Sequence, residues 1–228
     1  MTLNEKDNSA PKKVMVGIPT TDYVHINFAL ALSSMVLNSK IPLTIRVARG
    51  SSICANRNTL VHEARKAGAD FLLFIDNDMS FPWFAPDRLV HIAEERGLDI
   101  IGCNYLFKSP PHQWMVKPRQ DCEHLQAIDE VDRLPTGMML VRMSVFDKLD
   151  IPYFNYDTYT EPDTGLTTVA SEDYYFCDRA REKGIKIFID TDLSFGLVHW
   201  GSPTGVRWIN EDPGYQYLHE PLVYSAQP

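Results

Sequence analysis

Neither of the two common phosphate-binding loops occurs in this 228-residue chain. There is no G-x-x-x-x-G-K-[ST], and no G-x-G-x-x-G follows the first apolar strand. Both motifs present glycine backbone to phosphates, so their absence argues against P-loop ATPase and dinucleotide dehydrogenase chemistry. Long apolar runs are also missing: none approaches the roughly 20 residues that a membrane-spanning helix needs. The amino-terminal MTLNEKDNSAPKK lacks the apolar core of a signal peptide, so residues 1–13 are expected to be a short disordered lead-in to a cytoplasmic protein. Cysteine is scarce, with four residues (Cys54, Cys103, Cys122, Cys177) and no C-x-x-C pair, which points to free thiols in a reducing compartment. Positive charge is in short supply too. Against 30 Asp and Glu stand 22 Lys and Arg, a net charge of -8, which argues against a polyanion wrapped over a broad basic face but leaves room for a local basic cleft.

What is present is ordinary for a soluble globular protein, 44% hydrophobic and 23% charged, and the length suits one α/β domain over 14–228. The chain is organised around Phe71 to Pro82, FLLFIDNDMSFP. Phe71 to Ile75 is short enough for a strand buried on both faces, and it stops abruptly at Asp76-Asn77-Asp78. In an open α/β sheet the carboxyl ends of the strands open into the ligand crevice, so two carboxylates stand where chemistry is done. Magnesium or manganese held by one or two carboxylates keeps positions open for water and phosphate oxygens. The other reading is a turn, which Asp and Asn commonly form.

The remaining elements follow in an alternating order. Val14 to Ile18 predicts a strand that delivers Pro19-Thr20-Thr21-Asp22 into the same crevice, and Ile26 to Leu37 a mostly buried helix. Leu43 to Val47 alternates as a strand, Gly50-Ser51-Ser52 opens a helix that Gly68 closes, and Ala85-Pro86-Asp87 opens the next. On the first turns of the second helix, Arg57 either forks onto a phosphate or carboxylate or belongs to a solvated face. With Asp99 to Cys103 as a further strand, the order predicts right-handed crossovers and a mainly parallel sheet. Tyr105, Phe107, Lys108, Pro110, Pro111, His112 and Trp114 then form a loop of the kind that carries specificity, before a short alternating stretch from Gln113 to Lys117. Asp121 to Arg133 is acidic and without a clear period. Thr136-Gly137 leads into the strand Met138 to Arg142, either letting backbone approach a ligand or making a bend, and Ser144 to Leu149 predicts a short helix. Pro152 to Thr168 has no period and is expected to be a mobile lid. Glu172 and Asp173 stand at the start of a helix over Tyr174 to Lys183, and strands are expected at Lys186 to Ile189 and Ser194 to His199.

Taken in order, Pro19-Thr20, Ala55-Asn56-Arg57-Asn58, Phe74-Ile75-Asp76-Asn77-Asp78-Met79, Thr136-Gly137, Ser171-Glu172-Asp173 and His199-Trp200-Gly201 resemble the GT-A class of nucleotide-sugar glycosyltransferases, in its small family-2-like members. The resemblance spans roughly Val14 to Gly201. It implies a Rossmann-like, mainly parallel sheet flanked by helices, with a small mixed β region toward the C-terminal half. It also implies a UDP- or GDP-sugar donor and Mn2+ or Mg2+. Asp78 would be the direct metal ligand, Asp76 would act on metal through water or on the ribose, and His199 would complete the set. Pro19, Thr20, Asp22 and Asn77 would line the nucleotide, and Arg57 would meet its pyrophosphate or the Asp cluster. Asp173 would be the base of an inverting enzyme and Glu172 would touch sugar hydroxyls; in a retaining enzyme Asp173 would only position a hydroxyl or stabilise charge.

Breaking a sugar-to-diphosphate bond leaves a nucleoside diphosphate, and a cation bridging its phosphates stabilises the developing charge. Only Ser202 to Pro228 follow the His motif as acceptor-site material, where Trp208, Tyr215 and Tyr217 either stack on a sugar or base or pack the domain. Such a protein is compatible with a bacterial or phage enzyme acting on glycans, a protein or a modified base in DNA. The acidic balance makes DNA the weaker acceptor unless Lys108, Lys117 and Arg119 line a groove. Two other classes compete. A nucleotidyltransferase would bring a Gly- and basic-rich loop where Pro19-Thr20-Thr21-Asp22 stands, and a nucleotide- or carbohydrate-binding module would bind the donor without hydrolysing it.

Overall fold

The computed structural model describes residues 11–122, 124–160, 164–201, 205–208 and 215–218. Strands and helices alternate through β1 (Val14–Thr20), α1 (Ile26–Asn38), β2 (Leu43–Arg49), α2 (Ile53–Lys66), β3 (Phe71–Ile75), the two-residue β4 (Met79–Ser80), α3 (Ala85–Arg96) and β5 (Ile100–Gly102). Then come β6 (Lys117–Pro118), β7 (Ile128–Arg133), β8 (Met138–Arg142), β9 (Asp157–Thr160), β10 (Thr167–Ala170), α4 (Glu172–Glu182) and β11 (Ile187–Asp190). A four-residue turn of helix α5 (Thr191–Ser194) and the strands β12 (Val198–Trp200), β13 (Gly205–Trp208) and β14 (Tyr215–Leu218) complete the order.

Eight strands form the main sheet in the order β2-β1-β3-β8-β5-β11-β7-β6. Successive side chains of its inner strands bury to opposite faces. Val14, Val16, Phe71, Leu73, Ile101 and Leu140 meet α1 and α3, whereas Met15, Leu72, Phe74, Ile100 and Met139 meet α2 and α4. Helices on both faces are why β3 reads as an unbroken apolar run rather than an alternating one. The architecture is mixed α/β, one large sheet flanked by helices on both faces.

The parallel order is interrupted at two strands, β8 and β7, the latter lying antiparallel between β11 and β6. β1 pairs in parallel with β2 and β3, and β11 with β5, but β8 lies antiparallel between β3 and β5. The segment 103–137 leaves β5 at the carboxyl end of the sheet and returns there, so the strand that follows it has to run back the other way. That reversal brings the start of β8 beside the end of β3, where Asp76 N–H donates to the Gly137 carbonyl (3.1 Å). The second sheet, β14-β13-β12-β4, is antiparallel throughout rather than mixed.

Several expectations are corrected. Within Pro152 to Thr168, β9 and β10 form an antiparallel hairpin, with 161–163 outside the described residues. The stretch beginning at Ser194 is not one strand: Asp190 caps α5, accepting Leu193 N–H at 3.0 Å, and the strand begins only at Val198. Met143–Val145 is a single 3-10 turn in place of a helix. Of the lead-in, residues 1–10 lie outside the described residues, while Lys13 N–H donates to Asp70 Oδ2 (2.8 Å) and Lys12 pairs with Glu94 (3.1 Å). Among the described residues no helix is long and apolar enough to cross a membrane.

Candidate active site

Asp76-Asn77-Asp78 is clamped between the two sheets. Asp76 is anchored to β8 through Gly137, Met79 N–H turns back to the Asp76 carbonyl (3.2 Å), and Trp200 N–H donates to the Asp78 carbonyl (2.8 Å). In the antiparallel pairing of β4 with β12, His199 stands opposite Met79 and Val198 opposite Ser80. The Trp200 indole N–H also donates to the buried Ser80 hydroxyl (2.8 Å). This register fixes His199 beside Asp78.

The imidazole faces the carboxylate in a definite state. His199 Nδ1 lies 2.8 Å from the Leu106 carbonyl, which only accepts, so Nδ1 carries the hydrogen and Nε2 keeps its lone pair. Burial holds the ring's pKa below its ordinary value, against the pull of Asp78. Nε2 lies 3.7 Å from Asp78 Oδ1, and that oxygen is itself buried without a hydrogen-bond partner. Two acceptors thus face each other, a donor set suited to a cation. Among the described residues, however, no three His, Cys, Asp or Glu side chains form a group that holds a metal. The expected set of Asp76, Asp78 and His199 is therefore not assembled as one, because Asp76 turns to Arg57. What remains fits an ion completed by water and phosphate oxygens, the usual habit of magnesium and manganese.

Arg57 is the bridge to the second half of the site. Its side chain is 3% exposed, Nη2 donates to Asp76 Oδ1 (3.0 Å) and Nε to Glu172 Oε1 (3.1 Å). Although burial works against its charge, Asp76 and Glu172 raise its pKa and keep it ionised. Burial, with Asp78 and Glu172 nearby, pushes the Asp76 carboxyl up against the pull of Arg57. Arg57 thus forks onto carboxylates and meets the Asp cluster, as one of its sequence readings had it, and the solvated-face reading does not hold.

Glu172 and Asp173 occupy the first turn of α4, and both are buried. Asp173 Oδ1 accepts from the Ser171 hydroxyl and from Tyr174 N–H (2.8 Å). Burial and the neighbouring Glu172 still push its pKa up to about 6. A carboxyl with that value is poised to take a proton near neutral pH. Tyr105 stands between the halves, edge-on to His199 with ring centroids 4.9 Å apart. Burial, Asp76 and Asp173 hold its phenol well above the usual range, so it remains protonated.

Gly137 explains itself here. Its N–H donates to the Tyr105 hydroxyl (2.8 Å), and a Cβ at this position would collide with that hydroxyl and ring. The glycine serves a close approach by Tyr105, not by a ligand. Gly137→Ala is expected to destabilise the fold by about 1–3 kcal/mol, the usual overpacking range, and thermal unfolding checks it.

At the nucleotide end, Pro19 and Thr20 close β1, and Asn77 Nδ2 donates to Thr20 Oγ1 (2.8 Å) and to the Tyr23 carbonyl (2.8 Å). Buried Asn56 donates to the Thr20 and Gly50 carbonyls (3.1 and 3.0 Å), tying β1 to β2. Asp22 is exposed and paired with Arg49 (2.5 Å). Of the residues considered for a basic groove toward DNA, Lys108 pairs with Asp78, and Arg119 with Asp121 (3.0 Å) and Glu130 (3.3 Å). Tyr217 reaches His112 Nε2 (2.6 Å); the side chains of Trp208 and Tyr215 lie outside the described residues. Sequence reasoning missed His25. Its Nδ1 accepts Asn27 N–H as the cap of α1 (3.2 Å), its ring stacks on Trp200 at 5.1 Å, and burial lowers its pKa close to Asp78 and Lys108. A histidine cap has no sequence signal of its own, since Ser, Thr, Asp and Asn dominate that position.

No protein-family model and no curated protein matches the chain. Among solved structures it is similar to A197 from STIV, with a TM-score of 0.64 and 16% identity over 95% of this chain and 97% of that one. It also matches S. aureus TarS (TM-score 0.45, 14% identity, 79% of this chain and 35% of that one). A third match is TarS 1-349 in complex with UDP-GlcNAc (TM-score 0.43, 13% identity, 79% of this chain and 55% of that one). The first of these likenesses is one of fold alone.

Proposed function

We propose that the chain is a metal-dependent glycosyltransferase that moves a sugar from a UDP- or GDP-sugar to an acceptor hydroxyl. One observation carries the reading. A carboxylate and an imidazole with facing lone pairs, Asp78 and His199, stand beside Asp76, which Arg57 joins to Glu172, the neighbour of the buried helix-start carboxyl Asp173 of pKa about 6. The first pair suits a cation on a leaving diphosphate and the second group suits a base for the incoming hydroxyl.

Asp78 and His199 would hold a divalent ion, Mn2+ or Mg2+, which would supply positive charge where the diphosphate leaves. Asp173 takes the proton of the acceptor hydroxyl as its oxygen attacks the sugar carbon, which makes the reaction an inverting one. Glu172, oriented by Arg57, accepts from a sugar hydroxyl. Arg57 also fixes Asp76, which borders the ribose beside Pro19, Thr20, Asp22 and Asn77. The Tyr105 hydroxyl stays protonated and keeps a donor between the two halves.

The reaction class is tested by incubating the protein with UDP- and GDP-sugars and Mn2+ and following phosphorus resonances. Slow, metal-dependent release of the nucleoside diphosphate is expected. Binding without release would point to a binding module, and release of sugar 1-phosphate, the leaving group of attack at the α-phosphorus, to a nucleotidyltransferase.

A further inference from the structure

The loop after β5 brings a cation to the carboxylate on which the proposed metal depends. Lys108 Nζ donates to Asp78 Oδ2, while Asp78 Oδ1 faces His199 Nε2 at 3.7 Å. Ammonium and imidazole thus approach one carboxylate from its two oxygens. The same loop sets the imidazole, because the Leu106 carbonyl that holds Nδ1 is two residues before Lys108. Leu106 is bridged to Trp114, and Phe107 N–H donates to the Gln113 carbonyl (3.1 Å), so the backbone leading into Lys108 is fixed. Its side chain is not: it is 36% exposed, and its four-carbon stem can carry the ammonium away without moving the backbone.

We propose that Lys108 is a donor-binding residue that exchanges partners. It holds Asp78 in the bare protein and passes to the donor's diphosphate when the metal enters. The proposal rests on the reading of Asp78 and His199 as the protein's metal ligands. An ammonium and a dication on one carboxylate repel each other, so one has to leave. Diphosphate oxygens are the strongest acceptors within the site, and a charged hydrogen bond to them replaces the one given up. The bare protein therefore binds metal weakly, and metal and diphosphate strengthen each other's binding reciprocally.

The test is Mn2+ binding, read by electron paramagnetic resonance, on wild type, Lys108→Met and Lys108→Arg, alone and with methylenediphosphonate as the diphosphate probe. Lys108→Met is expected to bind Mn2+ alone about tenfold more tightly, and methylenediphosphonate at saturating Mn2+ about tenfold more weakly, the scale of one charged hydrogen bond. Lys108→Arg keeps the cation and should behave as wild type in both. A purely structural lysine would not give tighter Mn2+ on removal. Equal Mn2+ affinity in wild type and Lys108→Met overturns the proposal and leaves the metal site standing. Tighter Mn2+ with unchanged methylenediphosphonate affinity overturns the exchange onto diphosphate. No Mn2+ binding by any variant, with or without the probe, removes the metal site and the proposal with it.

Discussion

Asp173→Asn is expected to leave donor binding intact and to lower sugar transfer by roughly a hundredfold to ten-thousandfold, the usual share of a general base. The amide keeps the shape of the carboxylate and an acceptor for Ser171 and Tyr174 N–H, so the start of α4 should hold. In the wild type, transfer should rise with pH through about 6 as the carboxyl ionises, then level off. Stability should move the other way. A carboxyl raised from 3.8 to about 6 binds a proton in the folded state that the unfolded chain has released. Its contribution is fully present below 3.8 and lost as the pH climbs through about 6. At pH 8 the neutral variant should therefore melt higher than wild type, by at most about 3 kcal/mol for a shift of this size. Loss of transfer together with a higher melting temperature separates a lost base from a damaged fold; retained transfer would remove Asp173 from the chemistry.

The second large effect belongs to Asp78. Asp78→Asn is expected to weaken metal-dependent donor binding by more than about a hundredfold, beyond the 10–100-fold typical of groups that only orient a metal ligand. The substitution removes the charge that faces His199 and Lys108 and leaves the backbone clamp of Trp200 N–H on the residue 78 carbonyl in place. Folding should be little changed, since the side chain is partly exposed. Calorimetric titration of UDP and GDP with and without Mn2+ reads the difference, and unchanged affinity would take Asp78 out of the site.

Much of this was legible in residue order. β3 is buried on both faces and stops where its apolar run stops, and the start of α4 falls at Glu172-Asp173 as the helix signals indicate. What escaped had physical reasons. The direction of β8 depends on the path of 103–137 through space, and a run such as Met138 to Arg142 looks the same in either direction. β9 is exposed along its whole length, so it carries no alternation to announce a strand. The meeting of Arg57 with the Asp cluster was among the expectations, but its second partner Glu172, 115 residues away, was not, because only the fold brings the two together. Lys108 was visible as a charge in an aromatic loop, but its partner Asp78 lies 30 residues earlier.

The central claim is that this crevice is a metal-dependent nucleotide-sugar site, and thermal unfolding with a panel of nucleoside diphosphates, with and without Mn2+, tests it most directly. A nucleotide at a hundred times its dissociation constant should stabilise the fold by about 2.7 kcal/mol. The account predicts that UDP or GDP gives such a shift with Mn2+, that the shift falls away without the metal, and that Asp78→Asn loses it. A shift of equal size without metal, or none with any nucleotide, would contradict it.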